Sequence, residues 1–296
     1  MHLPRDPRWY QIAVLSGLLV YGMIALDFEV TPGRAALLLG VALLTQWWCG
    51  RRAGIPAFDP KSALISGLSL CLLLRTGSEL VAVAIAFVTI AEKFVFRVRG
   101  KHVFNPTNFG LVVALAAHLL FGVPAWTSPG QWGQVAFFGF LMACLGTIVV
   151  TRAKRADVTF AFLAAYAGIL FGRAAWLGQP WSNPIHQLEN GALLLFAFFM
   201  ISDPKTTPDR RLGRVLFAVL VAAGAVFVQF GLYRPNGLLW SLAAFSLVVP
   251  LIDRVLPAKR YAWPTGPAPS ALEPGTNPEG EPLHASLQPV YVRSCR

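Results

Sequence analysis

The chain has 296 residues, 55% of them apolar and only 13% charged, with a formal net charge of +11. Soluble domains carry roughly a quarter charged residues, so this composition leaves too little polar surface for a water-exposed globule. The basic residues lie in short loops between long apolar runs, which excludes a nucleic-acid-binding patch and points to the lipid bilayer as the partner.

Apolar runs fall at about 9–26, 34–49, 62–74, 79–95, 106–122, 133–151, 157–177, 189–202, 213–232 and 236–255. A helix rises ~1.5 Å per residue, so about 20 residues cross a ~30 Å hydrocarbon core. Eight runs approach that length, whereas 62–74 and 189–202 are short. The first run follows Arg5 and Arg8 in the manner of a signal peptide. The many similar runs behind it identify it as a retained span. If every run crosses, 21 of the 25 Lys and Arg residues fall on one side, leaving Arg34, Arg75, Arg173 and Arg234 on the other. Positive charge is retained in the cytoplasm. The expectation is a multi-pass protein of the bacterial cytoplasmic (inner) membrane with both termini cytoplasmic.

The fold class expected is an all-α integral membrane protein of about ten transmembrane helices. The two short runs are third in their halves, and an odd number of crossings per half inverts the second half. This describes a 5+5 inverted repeat. The transmembrane domain is placed at 1–256, with repeat one at about 9–122 and repeat two at about 133–256. Short helices leave N–H and C=O groups inside the membrane, where a ligand or ion can meet them. Residues 257–296 hold eight prolines in forty positions and read as a disordered cytoplasmic tail.

Local signals are fewer. Asn105 before Pro106 is a helix start, with a capping side chain and a residue that needs no N–H donor. Asp203 before Pro204 closes the eighth run and calls for a partner such as Lys205 or Arg210. Glu92 and Lys93 can pair or snorkel at the inner end of the fourth run, and His118 reads as a packing residue. Gly168 and Gly172 form a small-xxx-small pair for helix packing. Cys71 reads as a buried small residue. Cys49, Cys71, Cys144 and Cys295 have no paired spacing, so neither disulfide framework nor metal site is expected. There is no phosphate loop, no HExxH and no triad, so no catalytic residue is assigned. Whether the chain is part of an enzyme stays open on these residues alone.

Lys101-His-Val-Phe-Asn-Pro-Thr-Asn-Phe-Gly110 resembles a signature of the RnfD/NqrB family, whose members are the D subunits of Rnf-type electron-transport complexes and the B subunits of the sodium-translocating NADH:quinone reductase. Ser66-Gly-Leu-Ser-Leu-Cys-Leu-Leu-Leu74, Phe198-Phe-Met-Ile-Ser-Asp-Pro-Lys-Thr-Thr-Pro208, Tyr233-Arg-Pro-Asn-Gly237 and Val249-Pro-Leu-Ile-Asp253 are similar to further motifs of that family, in the same order over about 60–255. The resemblance implies ten helices in an inverted repeat and a role in transmembrane electron transport, coupled to ion translocation and working with other membrane subunits. It implies cofactor contacts at Ser66, Gly67, Phe104, Asn105, Pro106, Asn108 and Asp203. In the family an FMN is esterified to a threonine between the fifth and sixth helices. Here that loop offers only Thr127, outside the family's threonine motif. The expectation is therefore a divergent member whose FMN or riboflavin is held without a covalent bond. The alternative is a small-solute or ion transporter of the same fold without a redox cofactor.

Overall fold

A computed structural model describes residues 6–26, 28–55, 57–128 and 136–263, excluding the side chains of 136–142. Helices form in all ten apolar runs, among the described residues. They form α1 (Pro7–Ala25), α2 (Pro32–Arg52), α3 (Lys61–Leu73), α4 (Glu79–Val95), α5 (Pro106–Phe121), α6 (Ala136–Arg152) and α7 (Ala156–Trp176). The eighth run forms α9 (Gly191–Leu195), continued by a π-helical turn at Phe196–Met200. The ninth forms α10 (Arg211–Val226), continued by a second π turn at Phe227–Gly231. The tenth is broken into α11 (Gly237–Ser246) and α12 (Val249–Val255), bent by 46°. One element has no counterpart in the apolar pattern, the seven-residue α8 (Ser182–Leu188). Two small antiparallel ribbons also depart from an all-helical expectation: β1 (Leu74–Thr76) with β4 (Ala125–Thr127), and β2 (Arg97–Val98) with β3 (Lys101–His102).

Side-chain caps set the helix starts, since the first N–H groups of a helix lack internal partners. Asp6 accepts from the Arg8 N–H, Thr31 from Arg34, Ser78 from Val81, Asn105 from Asn108 and Asn190 from Ala192. Proline at the first position of α1, α2 and α5 adds a preset φ. Gly122, at φ +67°, ends α5 in the left-handed conformation that glycine adopts freely. Both π turns show the wider i→i+5 bond, Ile201 N–H to Phe196 O and Leu232 N–H to Phe227 O, each 3.0 Å.

Helix pairing recurs along the chain. α1 and α2 pack on α3, α2 packs on α4, and α4 packs on α5. Further along, α6 and α7 pack on the first π turn, α7 packs on α10, and α10 packs on α11. The core between them includes Leu70, Leu72, Leu111, Phe162, Phe196 and Phe217, each fully buried.

The contacts separate two ends of the bundle. At one, Arg8 meets Asp59 at 2.6 Å and Lys93 reaches Ser62 at 3.2 Å, joining the starts of α1 and α3 to the end of α4. At the other, Arg34 pairs with Glu79 at 2.6 Å and Thr76 donates to Pro124 O at 2.6 Å. Between the ends the surface is apolar, with Leu44, Leu80, Ile148, Phe160, Val219 and Phe227 exposed. Trp47 and Trp48 lie beneath the guanidiniums of Arg51 and Arg52. Trp126, Trp176 and Trp181 are exposed toward the opposite end. Such aromatic belts sit at membrane–water boundaries. By length and composition, α7 and the continuous Arg211–Gly231 helix suffice to cross a membrane, and the bent α11–α12 pair makes a third.

Residues 257–261 have no regular structure, yet they stay against the bundle. Lys205 Nζ donates to Tyr261 O at 3.3 Å, and the Arg155 guanidinium lies 4.9 Å from the Tyr261 ring centre. The rest of the expected tail, 264–296, lies outside the described residues.

Candidate functional site

The residues named from the sequence divide between two places. At the Lys101 end, Asn105 accepts from the Asn108 N–H at 3.0 Å and so starts α5. Its amide donates to Met200 O at 3.3 Å and to Asp203 at 3.4 Å, crossing to the loop that follows the first π turn. Phe104 is buried against Phe96 and Phe109, with ring centres 5.9 and 5.0 Å away. Pro106 opens the helix and is buried. Asn108 is fully buried, and neither of its amide atoms has a hydrogen-bond partner among the described residues. Burial pushes the Asp203 carboxyl up, opposed by the Lys205 N–H and nearby cations.

Several expectations are corrected here. Asp203 is met by the Lys205 backbone N–H and by Asn105, while the Lys205 ammonium goes to Tyr261 O and makes no contact with the carboxylate. Lys93 does not pair with Glu92. It donates to Gln46 at 2.7 Å and to Ser62, leaving both carboxyl oxygens of Glu92 buried without hydrogen bonds among the described residues. Ser66 bonds back to Ser62 O in its own helix, and a side chain at Gly67 would collide with Leu39, so Gly67 allows the close α3–α2 contact. Outside the backbone of α7 itself, no atom of the described residues comes within 4 Å of a Cβ built at Gly168 or Gly172, so that pair makes no close helix approach. His118 is exposed and bonds Val123 O at 2.8 Å.

Thr127 lies at the opposite end, in a cavity of about 330 Å³. Leu73, Leu111, Leu193, Phe196, Met200 and Leu239 make its apolar wall. Its polar side chains include Thr127, Tyr166, Gln187, Asn190, Gln229 and Asn236. Five of them form two bonded sets. Tyr166 donates to Gln229 at 3.2 Å, and the Gln229 amide donates to Gln187 at 3.3 Å. Thr127 donates to Asn236 at 2.7 Å. Asn236 sits at φ +61°, so its side chain is free of capping α11 and faces Thr127. The Asn-Pro start of α5 and the Pro-Asn start of α11 thus look alike in sequence and do different work.

Sequence reasoning missed Tyr166, Gln187 and Gln229. The usable signal was a tyrosine and a glutamine inside runs otherwise apolar, since intramembrane polar residues need partners. The second π turn places Gln229 on the cavity side, as such turns commonly do at functional sites.

A mostly helical bundle with an apolar waist, aromatic belts and a cavity of mixed polarity open at one end defines an α-helical membrane protein. Residues 118–262, just under half of the chain, match the model of the NQR2, RnfD, RnfE family. The chain is 32% identical over 139 residues to the D subunit of an ion-translocating oxidoreductase complex of Erwinia tasmaniensis, covering 46% of this chain and 37% of that protein. It is 30% identical over 159 residues to the same-named protein of Cronobacter sakazakii, covering 52% and 41%. The same-named protein of Pseudomonas paraeruginosa aligns over 256 residues at 25% identity, covering 68% of this chain and 74% of that one. The chain thus spans about two-fifths of the first two relatives' length.

Proposed function

We propose that the chain is an RnfD/NqrB-like membrane subunit of a transmembrane electron-transport complex, holding a flavin, FMN or riboflavin, without a covalent bond. The cavity containing Thr127 carries this reading. Its volume lies at the lower end of the range for small-molecule sites, and it pairs an apolar wall with side-chain amides that both donate and accept. That donor set fits the edge of a flavin ring, and a bound flavin would supply one- or two-electron transfer. Tyr166, Gln229 and Gln187 would orient the polar edge, Phe196 and Leu111 would exclude water, and Thr127 would contact the ligand without an ester.

The same reading has the chain crossing the bacterial inner membrane ten times as a 5+5 inverted repeat, with the Lys101 end cytoplasmic and other membrane subunits as neighbours. The recurring helix pairs support this, as does the segregation of Arg34, Arg75 and Arg173 from the Lys101 end. Coupling of electron transfer to ion movement is part of the same reading, supported by the names of the relatives, which are subunits of ion-translocating oxidoreductase complexes.

The test is the visible spectrum of protein purified in mild detergent. Bands near those of oxidised flavin, a flavin released by denaturation, and lower occupancy in Tyr166→Phe and Gln229→Ala are expected. Flavin-free protein that moves a solute or ion across liposomes would overturn the redox reading in favour of transport.

A further inference from the structure

Between the cavity and the Lys101 end, α5 presents Asn105, Asn108 and Leu111 at successive turns. Leu111 lines the cavity and Asn105 bonds Met200 and Asp203 at the far end. Asn108 lies between them, fully buried with both amide atoms unpaired among the described residues. A buried amide without partners is costly, so the position is suited to a second state in which something polar reaches it.

The loop that leads into α5 is held by an ionic cluster. Lys101 Nζ lies 2.6 Å from Asp253 and 3.0 Å from Asp209. The other Asp253 oxygen accepts the Asp209 N–H at 2.8 Å. These three residues come from the loop before α5, the loop before α10, and α12. One lysine therefore ties the first five helices to the last three. The carboxylates and the ammonium are largely buried, at 7 to 18% exposure. Such pairs contribute little net stability, and their best-attested use is to select one arrangement over another.

We propose that Lys101, Asp209 and Asp253 form a clamp closing the inner end of a polar path along α5, and that opening it lets water and small ions reach Asn108 from the cytoplasmic side. This rests on the membrane-spanning reading above and does not depend on flavin. Lys101→Met would leave two carboxylates facing each other and drive the clamp open, whereas Lys101→Arg would keep it closed.

The test places a thiol by Asn108→Cys and follows its modification by a membrane-impermeant maleimide in vesicles of either orientation, read by mass on the peptide that carries it. With Lys101 or Lys101→Arg, labelling should be slow from both sides. With Lys101→Met, or with Asp209→Asn and Asp253→Asn together should Lys101→Met fail to fold, labelling should rise at least tenfold, from the cytoplasmic side alone. An unchanged rate, or an equal rise from both sides, would overturn the clamp. Arg52→Cys and Arg234→Cys serve as references for sidedness. If both label from one side, the spanning reading fails, and the clamp is still judged by whether Lys101→Met exposes the thiol introduced by Asn108→Cys.

Discussion

The two ends of the helix bundle are closed in different ways. At the Lys101 end, residues near α5 are tied to residues after the first π turn by an ionic triad and by the Asn105 amide. At the Thr127 end, the corresponding tie is the 2.7 Å bond from Thr127 to Asn236, beside a cavity of about 330 Å³. Charge held in low dielectric is strong when paired and costly when not. A neutral bond exchanged with water contributes little net. The Lys101 end should therefore respond sharply to single changes, and the Thr127 end should yield gradually.

The largest effect follows from removing the central cation. Lys101→Met leaves Asp209 and Asp253 unpaired in a mostly buried site and should cost about 3 kcal/mol, read as a lower thermal midpoint in detergent. Asp209→Asn with Asp253→Asn in the same background should recover part of the loss by removing the repulsion. No recovery would mean that Lys101 acts by packing alone.

Next comes the helix contact behind the clamp. A Cβ on Gly110 would overlap Thr89 Oγ1 and lie 3.0 Å from Thr89 Cβ, so α4 and α5 would have to separate. Gly110→Ala should cost about 2 kcal/mol, partly restored by Thr89→Ala. Outside the backbone of α7 itself, Gly168→Ala meets nothing within 4 Å among the described residues. It should stabilise the helix slightly, by up to about 1 kcal/mol. Equal effects at the two glycines would deny that α4 and α5 are closely packed here.

Legibility in the sequence followed the same division. The helices were legible because a helix in lipid must satisfy its own backbone and so needs an unbroken apolar run. The Asn105-Pro106 start was legible because capping is local in sequence. The clamp was not, since Lys101, Asp209 and Asp253 are more than forty positions apart and each alone resembles an ordinary loop charge. The cavity amides escaped because a glutamine in an apolar run gives no sign of the direction it faces until a π turn sets it. Glu92 with Lys93 misled by adjacency, because neighbours on a helix point about 100° apart and here find different surroundings.

One pH response belongs to the Lys101 end. His102 is pushed down to about 4 by burial and by the nearby cations Arg97, Lys93 and Lys205. An unfolded chain would take up this proton near pH 6.5, the ordinary histidine value, so the unfolded state binds more protons over the interval between. Stability from His102 is thus full above pH 6.5 and lost as pH falls toward 4. Between pH 7 and 5 the loss should be about 1–2 kcal/mol, and His102→Gln should flatten it. An unchanged slope in that variant would place the acid sensitivity elsewhere.

The smallest effect is expected at the other end. Thr127→Val removes the bond to Asn236 while keeping the shape of the side chain, and should cost about 1 kcal/mol or less. Its informative readout is flavin occupancy against stability. If Thr127 serves only to hold Asn236, occupancy and thermal midpoint should fall together, and Asn236→Ala should reproduce both. If Thr127 contacts the ligand directly, Thr127→Val should lower occupancy more than Asn236→Ala does at the same midpoint. An occupancy insensitive to both would remove this end of the cavity from the proposed flavin site and leave that proposal resting on Tyr166, Gln229 and Gln187.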